Sequence, residues 1–287
     1  MIFMRRTEAS GTRAAENLRL LQKDLRVDII RMIEKAGSGH PGGSLSVIDI
    51  LAVLYCKILR HDPADPGWAD RDRVVLSKGH CCPALYAVLA NRGYFPKEDL
   101  MTLRKLSSPL QGHPDRTRLP GIEASTGSLG QGLSIAIGMA LAAKMDRRPS
   151  RVYAVLGDGE IQEGQCWEGI MAAPKFKLDN LTVIVDANRG QIDGHVPEVM
   201  GIEPLAAKFE SFLWETQEIP GHDLGKIEES LRQASQAVSG KPQAIVARTV
   251  KGKGVSFMED KIEWHGKAPK PEEAEAAIRE IEKNYGG

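Results

Sequence analysis

Five short β-rich runs separated by helix-length segments constrain this 287-residue chain more than any other feature. The runs cover residues 73–76, 152–156, 181–185, 212–219 and 244–250, and helical patterns fall between them at 83–91, 132–144, 164–173 and 224–238. Residues 152–156 are apolar without alternation, and 181–185 nearly so. A strand with no polar face is covered on both sides. The expected fold class is therefore α/β, a parallel sheet with helices on both faces. In such sheets ligands bind at the carboxyl ends of the strands.

Leu18, Leu21, Leu25, Ile29, Met32 and Ile33 recur at three- and four-residue steps, which predicts an amphipathic helix ending near Gly37. A second helix is expected over 46–59. Between them, Gly37-Ser38-Gly39-His40-Pro41-Gly42-Gly43 is too rich in glycine to belong to either and reads as a shaped loop. No repeat or low-complexity linker divides the chain. Residues 1–12 read as an N-terminal tail and 13–287 as a single domain, closing on a surface helix at 271–283.

The 38 basic and 38 acidic residues cancel, so no global field favours nucleic acid or an anionic membrane, and any phosphate recognition is local. No apolar stretch approaches the roughly 20 residues of a membrane span, and residues 1–10 lack a signal-peptide pattern. A cytoplasmic protein is expected. Cys56, Cys81, Cys82 and Cys166 form no C-x-x-C pair, so packed, reduced thiols are expected.

The second run ends in Gly157-Asp158-Gly159, and Asn188 follows the third after an interval of 30 residues. One strand-helix-strand crossover fits that interval and returns both ends to the same sheet edge. A carboxylate, an amide and glycine-exposed carbonyls such as that of Gly190 make an oxygen-only ligand set. Such a set suits magnesium, with calcium or manganese as alternatives, and magnesium commonly shares its shell with phosphate oxygens.

Four of the seven histidines lie in glycine- or proline-bearing loops: His40, His80, His113 and His265. One such histidine is commonly a surface residue, whereas four suggest proton chemistry on hydroxyls and carbonyls near neutral pH. Metal ligation is the rival reading, but no H-x-x-x-H or Cys/His cluster accompanies them.

The Gly-Asp-Gly and asparagine pair resembles that of the thiamine diphosphate enzymes. A narrower resemblance, to the transketolases, rests on Ser38-Gly39-His40-Pro41-Gly42, Lys78-Gly79-His80, Gly112-His113-Pro114 and Thr126-Gly127-Ser128-Leu129-Gly130-Gln131-Gly132. It continues through Gly157-Asp158-Gly159 with Glu163-Gly164, Lys177-Leu178-Asp179-Asn180-Leu181, and Trp264-His265-Gly266, in family order over nearly the whole chain. The resemblance implies the diphosphate-binding domain fold and a thiamine diphosphate cofactor with magnesium. Asp158 and Asn188 would ligate the metal by side chains and Gly190 by its carbonyl. Family members often carry a larger residue at that last position, which a carbonyl ligand does not need. Gly157, Gly159, Glu160 and His80 would border the diphosphate. Gly127, Ser128 and Leu129 would approach the aminopyrimidine, although Thr126 and Ser128 also suit a plain turn. His40, His113 and His265 would surround the ketose, with His265 also near the cofactor.

A transketolase has three domains, and only the first is matched here. The missing second domain normally supplies the glutamate that activates the cofactor, together with the aromatic pocket for its pyrimidine. Glu160, Glu163 and Glu168 of this chain are the candidate substitutes for that acid, and the latter two also match family positions in a network between paired sites. The resemblance therefore implies the N-terminal subunit of a split transketolase. It would act with a C-terminal subunit carrying the pyrimidine-binding domain, in an α2β2 assembly that moves a two-carbon ketol unit between sugar phosphates. The alternatives are a subunit of another thiamine diphosphate enzyme, of 2-oxo acid decarboxylase or deoxyxylulose-phosphate synthase type, and a non-catalytic cofactor-binding paralogue.

Overall fold

Each apolar run becomes a strand, and the observed strands are β1 (Arg73–Leu76), β2 (Val152–Gly157), β3 (Leu181–Ala187), β4 (Gly190–Gln191), β5 (Gly194–His195), β6 (Glu215–Pro220) and β7 (Gln243–Arg248). The computed structural model describes residues 5–286, with side chains described from Leu18 onward. One parallel sheet has the order β1-β2-β3-β7-β6, and β4 and β5 pair separately as an antiparallel hairpin. The helices are α1 (Arg5–Ala36), α2 (Pro41–Val53), α3 (Cys82–Asn91), α4 (Gln131–Met145), α5 (Gly164–Lys175), α6 (Val196–Val199), α7 (Leu205–Ser211), α8 (Leu224–Ser235) and α9 (Pro271–Tyr285).

Period-two alternation of side chains divides the core into two layers. Tyr153 and Val155 join the cluster that holds α1, α2, α3, α8 and α9, whereas Val152, Ala154 and Leu156 join the one that holds α4, α5 and α7. Coverage on both faces explains why β2 carries no charged side chain and only the Tyr153 hydroxyl as a polar group. The C-terminal helix is amphipathic, burying Ala274, Ala277, Ile278 and Ile281. The four cysteines are free thiols, with Cys81, Cys82 and Cys166 buried.

Several expectations are corrected. Residues 1–4 of the expected tail lie outside the described residues, and the backbone of 5–12 continues α1. The second helix starts at Pro41, so the glycine-rich stretch is only partly a loop. Proline is favoured at the first helical position, and the glycines serve close packing: a Cβ on Gly43 would lie 2.5 Å from Cys81 Sγ. Phe212, Leu213 and Trp214 precede β6 rather than belonging to it, because Leu213 turns the chain at φ +69°. The β4–β5 hairpin has no apolar alternation and was not foreseen. Pro41–Ile58 is an apolar 18-residue window, close to the length of a span after all, but 83% of it is buried in the protein.

One buried polar network fastens the region beyond β7. Asp49 of α2 accepts from Arg26 Nη1 at 2.8 Å and Nη2 at 2.7 Å, from Gln22 at 2.7 Å, and from His222 Nδ1 at 2.8 Å. His222 Nε2 in turn accepts the Val250 N–H at 2.8 Å, which assigns its proton to Nδ1. Burial alone would raise the Asp49 pKa, but Arg26 and His222 outweigh it and hold the carboxyl well below its ordinary value. Asp49→Ala strands the fully buried Arg26 charge and is expected to cost about 3–5 kcal/mol in a urea titration. Because the folded pKa is depressed, the wild-type contribution is complete above the unfolded carboxylate value of about 4 and declines as pH falls below it.

Candidate active site and cofactor cleft

Strand register sets the site. Leu76 lies beside Val155, Gly157 beside Asp186, and Ala187 beside Arg248. The segments leaving β1, β2, β3 and β7 therefore emerge together, as expected for the carboxyl edge of a parallel sheet. They bring Lys78, Asp158, Asn188 and Lys251 to one cavity of about 450 Å³, which His40 and His265 also line.

Asp158 is 4% exposed. Its Oδ1 accepts the Gly159 N–H at 2.9 Å and its Oδ2 the Arg189 N–H at 2.7 Å. Burial pushes its carboxyl up to about 6, against the opposing pull of the Arg189 N–H and Lys78. Asn188 Oδ1 accepts the Gly190 N–H at 3.1 Å, while its Nδ2 donates to Ser46 Oγ at 3.1 Å and Asp186 Oδ2 at 3.2 Å. Each of these oxygens keeps lone-pair capacity for a further partner.

Two lysines flank the oxygens. Lys78 is committed to Asp186, with Nζ 2.5 Å from Oδ2, and Asp186 also accepts from Ser46 at 2.6 Å and from Thr249. Lys251 has no carboxylate in ion-pair contact among the described residues; its Nζ donates to the Gly190 carbonyl at 3.0 Å and lies 2.9 Å from His265 Nδ1. Burial, reinforced by the Lys78 charge, lowers its pKa to about 8. Lys251 thus faces the cavity with none of the cavity's carboxylates in ion-pair contact among the described residues.

The four loop histidines converge. His40 lies 5.2 Å from His80, 5.5 Å from His265 and 6.5 Å from His113, between ring centroids, and His80 stacks on His265 at 5.2 Å. Burial lowers all four pKa values, aided by nearby cations: His40 to about 4, His265 to about 3, His80 well down, and His113 in the same direction. They are neutral imidazoles at neutral pH, able to donate and accept. His40 Nδ1 is buried with no hydrogen-bond partner among the described residues, an orphan that a ligand in the cavity could satisfy.

The remaining predicted residues divide. Gly127, Leu129, Gly157, Gly159 and Gly190 line the cavity, whereas Ser128 is exposed and outside the lining, as a turn residue would be. His113 is exposed and packs on Gly127, where a Cβ would come within 2.9 Å of its ring. Glu160 borders the cavity, but its carboxylate is committed to Ser77, Gly130 and Gly157 rather than left for a ligand. Glu163 is exposed at the rim, and Glu168 is exposed outside the lining. Lys78 and Lys251 went unassigned in the sequence, although each follows a β-rich run just as Asp158 does.

The family model described as transketolase, thiamine diphosphate binding domain, matches residues 13–286. The chain belongs to the transketolase family. It is 49% identical over 251 residues to a 6-deoxy-6-sulfo-D-fructose transketolase subunit of Clostridium sp. (strain MSTE9), covering 88% of this chain and 91% of that one. It is 42% identical over 266 residues to an apulose-4-phosphate transketolase subunit of Phocaeicola vulgatus, covering 93% and 94%. Transketolase of Campylobacter jejuni superposes with a TM-score of 0.86 at 36% identity, over 94% of this chain and 42% of that one. The chain thus spans nearly the whole length of the named subunits and about two fifths of a full transketolase, and the relatives so named are transferases.

A transketolase domain of this kind implies thiamine diphosphate, and the residues present fit it. Lys251 offers an unneutralised cation to a diphosphate, and the Asp158, Asn188 and Gly190 oxygens offer hard donors to a divalent cation. Among the described residues no group of three His, Cys, Asp or Glu is placed to hold a metal, which leaves that mixed oxygen set as the candidate.

Proposed function

We propose that this chain is the N-terminal subunit of a cytoplasmic, two-component transketolase, dependent on thiamine diphosphate and a divalent metal. In this reading it passes a two-carbon ketol unit from a ketose phosphate to an aldose phosphate. The observation that carries the reading is the meeting of three neutral histidines, His40, His80 and His265, with the Asp158 and Asn188 oxygens and Lys251 in one cavity, with His113 6.5 Å from His40 between ring centroids. Asp158, Asn188 and Gly190 hold magnesium, while Gly157, Gly159, His80 and Lys251 border the diphosphate. Thiamine diphosphate, when bound, supplies the carbon that stabilises a carbanion. His40, His113 and His265 orient the sugar hydroxyls and exchange protons with them.

The acid facing the aminopyrimidine comes from a C-terminal partner. Glu160 has its carboxylate engaged within the protein, Glu168 lies away from the cavity, and Glu163 stands exposed at its rim. The relatives named as subunits support a division between two chains, and two copies of each form the working assembly in this reading. The test is to purify the chain alone and with the candidate partner, then measure ketol transfer with thiamine diphosphate and magnesium. The donors are pentose phosphates, apulose 4-phosphate and 6-deoxy-6-sulfo-D-fructose, with 2-oxo acids as controls. Transfer is expected only from the mixture, which should elute as a heteromer. Robust transfer by the single chain would overturn the partner requirement, and turnover of 2-oxo acids alone would overturn the sugar assignment.

A further inference from the structure

We propose that Glu160 is a positioning residue for the cofactor: one buried carboxylate fixes the mutual placement of three loops that border the cavity. This rests on the thiamine diphosphate reading above. Oε1 of Glu160 accepts from Ser77 Oγ at 2.5 Å and from the Gly130 N–H at 3.0 Å, and Oε2 accepts from the Gly157 N–H at 3.1 Å. The three donors belong to three segments. Ser77 precedes Lys78 and His80 after β1, Gly157 closes β2 just before Asp158, and Gly130 follows Gly127 and Leu129 ahead of α4. Every segment thus carries at least one cavity residue within three positions of its bond to Glu160.

The packing around the carboxylate leaves these segments little room to shift separately. A Cβ on Gly132 would lie 2.5 Å from Ser77 Oγ, and one on Gly79 would lie 2.7 Å from Thr126 Oγ1. Thr126 Oγ1 also donates to the Leu76 carbonyl at 2.7 Å, so the first and third segments are in direct contact. Glu160 adds the second. It is 3% exposed and has no cation in ion-pair contact among the described residues, so neutral donors alone satisfy it.

The chemistry requires a carboxylate. All three partners donate, and an ionised carboxylate only accepts. An amide of the same shape would place an N–H₂ against at least one N–H or O–H, leaving that buried donor without an acceptor. Glu160→Gln is therefore close to isosteric but breaks the junction, and Ser77→Ala removes one strut while leaving the carboxylate and two backbone bonds.

The experiment is calorimetric titration of thiamine diphosphate, with magnesium present, into the assembled complex of this chain and its partner, paired with kinetics at saturating cofactor. Glu160→Gln is expected to raise the cofactor Kd about tenfold or more, because a buried donor loses its acceptor, and Ser77→Ala about threefold, because Oε1 loses one of its two donors. At saturation kcat should stay within about threefold of wild type, and the ketose KM should not move, as expected when ground-state cofactor binding alone is weakened. A purely structural role would lower the melting temperature and leave the Kd of the folded fraction unchanged. An unchanged Kd in the folded variants overturns the proposal; Ser77→Ala decides alone where Glu160→Gln does not fold. Collapse of kcat at saturation also overturns it, by placing Glu160 in the chemistry. Failure of the wild-type complex to bind thiamine diphosphate is read separately, from wild type, and brings down the functional reading itself.

Discussion

Asp158→Ala is expected to weaken magnesium-dependent binding of thiamine diphosphate by more than about 100-fold, since losing even an outer partner of a metal ligand typically costs 10- to 100-fold. Activity of the partner-bound enzyme at ordinary cofactor concentration should disappear with it. Folding should suffer far less. The Asp158 carboxylate is buried without a bonded cation among the described residues, and burial pushes its pKa up to about 6. A raised folded pKa means that the ionised form strains the apoprotein above that value, so removing the charge offsets the loss of the Gly159 and Arg189 hydrogen bonds. The check is a thermal melt beside a calorimetric titration. A melting temperature near wild type with cofactor binding abolished supports the metal assignment. Near-normal, magnesium-dependent affinity would sink it.

The strand-ending residues were legible because the physics that places them is local. Val152 to Leu156 is apolar on both faces, so its burial and the carboxyl-edge position of Asp158 follow from the pattern itself. Asn188 then follows from the length of one crossover. The extra start of α2 was less legible because glycine favours loops by propensity, whereas here Gly42 and Gly43 are in the first turn to admit Lys251 and Cys81. Tertiary packing decides that, and no local window contains the partners.

Glu160 shows a similar limit. It lies two residues beyond Asp158, and sequence alone offers it as one more acid near the cofactor. Only the fold reveals that Ser77 and Gly130, which lie 83 and 30 residues away, claim one of its oxygens. The Lys251 position was readable as a strand end, but its lack of a counter-charge depends on where Asp186 spends its bonds, and Lys78 takes that carboxylate first.

His113→Ala should separate binding from turnover. His113 is the most open of the four convergent histidines, 6.5 Å from His40 between ring centroids and outside the cavity lining that holds Asp158, Lys78 and Lys251. Burial, and then the Arg104 charge, lower its pKa, so at neutral pH it is a neutral imidazole that can accept or donate a proton. Removing a general acid or base costs roughly 100- to 10,000-fold in rate, and kcat should fall within that range. The cofactor Kd is expected to remain within about threefold of wild type, because the residue lies away from the diphosphate end and truncation leaves the backbone of Gly127 in place. His113→Asn sharpens the test, since it can hydrogen-bond to a sugar hydroxyl yet cannot carry a proton near neutral pH. If the Asn variant is as slow as the Ala variant, proton transfer is the lost function. If it recovers most of the rate, His113 orients the substrate. A collapse of cofactor affinity in both would instead make the ring a support for the Gly127 turn on which it packs, and would remove it from the sugar site.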